Sequence, residues 1–95
     1  MLDLLKCEDF EAHLNSPFDM TAGDATTALE LIAVERLPQH ATTRQPFSLL
    51  FRGAGTTVWP QGIYHLSHAD LDQLDIFLVP VGRDESGVRY EAIFS

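Results

Sequence analysis

A small, mainly β fold (or β-rich α+β) is what this sequence predicts: an antiparallel barrel or sandwich of about six strands with a short N-terminal helix. Three observations predict it. Pro46-Phe47-Ser48-Leu49-Leu50-Phe51-Arg52-Gly53 alternates Phe47, Leu49 and Phe51 onto one face, between a proline and a glycine that act as stops. Gly62–His68, Ile76–Val81 and Val88–Phe94 repeat that build, and short glycine- and proline-bearing connections separate them. Finally, 95 residues make one small domain, 1–95, whose sheet must curl to keep a face dry.

The elements follow in chain order. Leu2, Leu5, Phe10 and Leu14 can share a helical stripe, so a short helix is expected over 2–14, with Glu8, Asp9 and Glu11 also suiting a start near Cys7. Asn15-Ser16-Pro17 ends it. Phe18–Ala22 is a short strand, turned by Gly23-Asp24. Ala28–Leu37 carries both periods. Leu29, Leu31, Ala33 and Leu37 alternate as a strand would, Ala-Leu-Glu-Leu suits a helix, and Ile32 and Val34 favour the strand. Gln39–Gln45 is a polar connection.

The strand at 47–52 should pair antiparallel with Gly62–His68, across a loop that holds Trp59 and Pro60. Asp70, Asp72 and Asp75 then mark a turn. Ile76-Phe77-Leu78-Val79-Pro80-Val81 is the most apolar run and is expected to be buried on both faces. Pro80 within it points to an edge, a bulge or the strand's end. After the 82–87 loop, Val88, Tyr90, Ala92 and Phe94 alternate with Arg89 and Glu91 in a closing strand.

The net charge of −8 argues against nucleic acid and against an anionic membrane surface, which both require Lys and Arg. The acids concentrate in residues 1–41, where eight face only Lys6 and Arg36. That excess provides solubility, or complements a basic protein partner. Cys7 is the only cysteine, so no internal disulfide forms. The N-terminus carries Asp3 where a secretory signal would be basic, and the cytoplasm is the expected compartment.

Phe47–Gly53, Pro60–His68, Phe77–Gly82 and Tyr90–Phe94, with the opening Asp9-Phe10 to Leu14-Asn15 and Phe18, resemble a family of small bacterial proteins known only as a domain of unknown function. The resemblance spans nearly the whole chain. It implies a stand-alone bacterial domain and transfers no activity or site residue.

Candidate chemistry is sparse. His65 and His68 are three apart, which on a strand sends them to opposite faces and away from a shared metal. Asp70, Asp72 and Asp75 lack the glycine and distal glutamate of a calcium loop. Gly53-Ala54-Gly55 lacks the lysine of a phosphate loop. Cys7 with His13, and Ser48 in mid-strand, lack the surroundings of a nucleophile. No cofactor and no metal is expected. Trp59 either tucks over the open end of the barrel or stands out as a binding anchor, and Arg52, Gln61 and Tyr64 could line the same rim. The expected function is a non-enzymatic module that binds an unidentified protein or itself, through an edge strand and the Trp59 loop. The alternative is a small-ligand binder or enzyme with a polar barrel mouth drawn from His65, His68 and Arg52.

Overall fold

Six antiparallel strands close on themselves in the computed structural model, which describes residues 6–38, 45–55 and 57–94. They are β1 (Pro17–Ala22), β2 (Ala25–Arg36), β3 (Phe47–Gly53), β4 (Gly62–His68), β5 (Asp72–Asp84) and β6 (Gly87–Phe94), preceded by the helix α1 (Cys7–Glu11). Around the barrel the order is β1-β2-β3-β6-β5-β4, and β4 returns to pair with β1. Every strand is therefore paired on both sides over at least part of its length, and none is an edge strand throughout.

One expectation about neighbours is corrected by this order. β4 does not pair with β3. It lies on the opposite wall, between β1 and β5, and β3 lies between β2 and β6. The two strands follow one another in sequence, but the 54–61 loop crosses the barrel end instead of folding back as a hairpin. The helix is also shorter than predicted. It begins at Cys7, where the Asp9 carboxylate accepts the Lys6 backbone N–H at 2.7 Å and supplies a cap. Leu2, Leu5 and the 39–44 connection lie outside the described residues.

The ambiguous 28–37 segment is strand, within the longer β2. Its register shifts between Leu31 and Ala33, so Ile32 is the extra residue of a bulge. The bulge reverses the alternation. Leu31 stands opposite Phe51 and Val34 opposite Leu49, so both turn inward, while Ala33 faces out instead of joining Leu29 and Leu31. A second bulge falls between Pro80 and Gly82, one of the places a proline is tolerated in a strand.

The turns use residues that fit them. Gly23 has φ 62° in the two-residue β1–β2 loop, the glycine position of a primed hairpin turn. Gly87 has φ 134°, and a Cβ there would stand 2.0 Å from the Gly53 carbonyl oxygen. Both the dihedral and the close approach demand glycine.

Side chains fill the barrel. Phe18, Met20, Leu29, Leu31, Phe47, Leu49, Phe51, Leu66, Leu74, Ile76, Leu78, Val88, Tyr90 and Ala92 are all buried. Each large one contributes about 1.5–3 kcal/mol by leaving water. α1 closes one end. Its Phe10 is fully buried and packs 5.8 Å, ring to ring, from both Phe47 and Phe94, which stack on each other at 4.9 Å. Arg36, at the end of β2, reaches Glu11 at 3.1 Å and Glu8 at 3.5 Å and ties the helix to the rim.

Candidate functional site

Both barrel ends are occupied by the chain itself. At the end away from α1, the loop before β4 lies over the opening. The Trp59 backbone N–H donates to the Tyr90 hydroxyl at 2.9 Å, and the Tyr64 hydroxyl donates to the Pro60 carbonyl. Two tyrosines, on the strands either side of β5, thus hold one loop. Trp59 is half-buried and packs against the core, the tucked arrangement rather than the exposed one. Gln61 beside it is exposed.

The other sequence-predicted residues are scattered. Arg52 points outward from β3 and pairs with Glu30 of β2 at 2.6 Å. His65 points outward from β4, on the opposite wall, and pairs with Asp75 at 2.9 Å. His68 turns inward at the α1 end. The polar mouth imagined for Arg52, His65 and His68 is not assembled, because β3 and β4 are as far apart around the barrel as two strands can be.

His68 does join a small polar cluster. Its ring lies 4.5 Å from that of Phe18 and 4.6 Å from that of His13. His13, His68 and Asp70 offer ligand atoms within 4.8 Å of one another, a grouping that spacing alone does not reveal because His13 precedes β1, while His68 ends β4 and Asp70 follows it. The hydrogen bonds define what this cluster can do. The Asp70 backbone N–H donates to His68 Nδ1 at 3.0 Å, so Nδ1 carries no proton. The proton sits on Nε2 and is directed at Ser16 Oγ, 3.0 Å away, whose own proton goes to the His13 carbonyl at 2.7 Å.

That pattern opposes both chemical readings of the cluster. A Ser-His-Asp triad needs the proton on Nδ1, held by a carboxylate, and a free lone pair aimed at the serine. Here the tautomer is reversed. A metal on Nε2 would push the proton onto Nδ1, against the Asp70 N–H. Burial and the neighbouring His13 lower the pKa of His68, with Asp70 partly offsetting them, so the neutral ring persists. Cys7 is equally quiet: burial raises its pKa, the Glu11 carboxylate adds to the rise, and its thiol contacts that carboxylate at 3.6 Å.

The outer wall carries a different feature. Ile63 on β4 stands directly opposite Phe77 on β5, and both side chains face water. Ile93 on β6 lies beside Phe77 across the next seam, and the three line a shallow groove of about 380 Å³. They are 74%, 52% and 63% exposed. The run Ile76–Val81 is therefore not buried on both faces as its composition predicts. Ile76 and Leu78 fill the barrel, while Phe77 and Val81 are bare.

Residues 5–94 match a family model described as a domain of unknown function, DUF6916. The chain belongs to that family. No curated protein and no solved structure matches it. For this DUF6916 domain, the strand pattern identifies β4, β6 and the middle of β5, but not the ends of β5 at 72–75 and 82–84, which read as turn and loop, nor the exposure of one face. Ile63 and Ile93 sit on the polar phase of their strands, out of step with the inward Leu66 and with Tyr90 and Ala92. That phase mismatch was the signal available in the sequence.

Proposed function

We propose that the DUF6916 domain is a non-enzymatic interaction module of the bacterial cytosol that binds a protein partner through the outer face of β4, β5 and β6. The observation that carries the reading is the double-sided apolar strand. A run as apolar as Ile76–Val81 is the composition of a strand covered on both faces, yet Phe77 and Val81 lie open to solvent. Ile63 and Ile93 extend the bare surface to both neighbouring strands. Contiguous exposed apolar surface of this kind marks interaction sites, and aromatic side chains such as Phe77 are enriched at interfaces. The filled interior and the reversed His68 tautomer give the reading further support, since neither offers a substrate a place to react.

The test is site-specific photo-crosslinking in cells that express the protein natively. A photoreactive residue replaces Ile93 in one variant and Thr26, on the exposed β1–β2 hairpin, in another. The reading predicts a discrete adduct from position 93 that Phe77→Thr abolishes, and no such adduct from position 26. Equal labelling from both positions, or none from position 93, would overturn it.

A further inference from the structure

We infer that the segment docking on this face is cationic as well as apolar. The inference rests on the interaction reading above and names the chemistry of the partner. It comes from the charges that frame the apolar row. Asp75 lies at one end of the groove. Across the β3–β6 seam, Ser48 stands opposite Ile93, and Glu35 stands opposite Ser48. Glu91 projects beside the row, opposite Leu50 and Val79. Glu35, Ser48, Leu50 and Glu91 together line a second shallow groove next to the first.

Among the described residues no arginine pairs with these acids, and Asp75 meets only the His65 ring. Arg52 is held by Glu30 and Arg89 by Asp84, and Arg36 is held at the barrel end by Glu8 and Glu11. Among the described residues, Glu35 and Glu91 make no ion pair. The apolar row is thus flanked on both sides by carboxylates. A second copy of the chain would bring like charges together over the row, on a molecule that already carries −8. A segment that alternates apolar side chains with Lys or Arg satisfies both features. The apolar groups cover Ile63, Phe77 and Ile93, and the cations reach Asp75, Glu35 and Glu91.

The experiment titrates the full-length protein with three synthetic peptides and follows backbone amide shifts by NMR. One peptide alternates leucine and lysine, one replaces its lysines by glutamate, and one replaces its leucines by serine. The leucine–lysine peptide is expected to shift amides along β4, β5 and β6, and to bind more weakly as salt rises, since charges at a surface are screened beyond about 10 Å at 0.1 M. Phe77→Thr is expected to weaken it roughly tenfold, as loss of a central aromatic anchor does. Glu91→Gln, at a half-buried position that leaves the row intact, is expected to weaken binding further and flatten the salt dependence.

Equal binding of the leucine–glutamate peptide on the same face would overturn the cationic partner and leave the interaction face standing. Equal binding of the serine–lysine peptide, or shifts elsewhere on the barrel, would overturn it as well. A native dimer that shields Ile63, Phe77 and Ile93 would replace the basic partner with a second copy. Failure of the underlying reading shows separately, as the absence of a crosslink from position 93 in cells.

Discussion

Phe77 and Ile63 stand opposite each other on adjacent strands with both side chains in water, while Ile76, next to Phe77, and Leu66, on the inward phase of β4, are buried in the barrel. The pair is a cross-strand aromatic–aliphatic contact, worth about 0.2–1 kcal/mol to the sheet. That gain is small beside what covering the whole row would bring, and it leaves the fold nearly indifferent to the identity of these side chains.

The barrel end near α1 depends on Phe10. Phe10→Ala removes a fully buried ring that touches Phe47 and Phe94. It is expected to cost about 3–5 kcal/mol. Urea unfolding measures it as a lowered midpoint, and a loss under about 1 kcal/mol would mean that the helix is not part of the core.

Gly87 and Gly23 separate two kinds of glycine. Gly87→Ala meets both a φ of 134° and a Cβ placed 2.0 Å from the Gly53 carbonyl. It is expected to cost more than the ~1–3 kcal/mol of backbone strain alone. Gly23 has open space around it, and Gly23→Asn keeps a residue that tolerates positive φ. Thermal unfolding of the two variants should show a large fall in Tm for the first and a small one for the second.

The loop over the far end is held by Tyr90. Tyr90→Phe leaves the Trp59 N–H without its acceptor and is expected to cost about 1–3 kcal/mol. The emission of Trp59, the only tryptophan, should shift to the red as the loop loosens. An unchanged spectrum and stability would show that packing alone seats the loop.

His68 makes stability depend on pH. Its pKa in the folded protein lies below the usual histidine value, mainly because of burial and then because of His13. The unfolded chain therefore takes up this proton first. The contribution is fully present above the usual pKa near 6.5 and is lost as pH falls through the lower folded value. Urea midpoints should drop between neutral pH and pH 5, and His68→Gln should flatten that drop. An equal drop in the variant would assign it to other groups.

The general architecture was legible because alternation is a local signal. Phe47, Leu49 and Phe51 announce an inward face wherever their neighbours lie. Strand order was not legible, since nothing in Gly53–Gln61 distinguishes a loop that folds back from one that crosses the barrel end. The Ile32 bulge escaped for a related reason: one extra residue reverses the phase, and the Leu29, Leu31, Ala33 pattern reads smoothly across it. At the candidate face, Phe77 was read as buried because composition reports how apolar a strand is, not whether its second cover belongs to the same chain. His13 met His68 and Asp70 only through closure of β4 onto β1, a long-range event with no local mark.

Under the proposed interaction role, Ile63, Phe77 and Ile93 are apolar for a partner and not for the fold. Equilibrium urea unfolding of the triple variant Ile63→Thr, Phe77→Thr, Ile93→Thr tests it most directly, because threonine retains strand propensity while removing the apolar surface. A cooperative transition is expected, with each substitution costing about 1 kcal/mol or less. A non-cooperative transition, or a loss as large as that of Phe10→Ala, would show that the row holds the barrel together and would contradict the account.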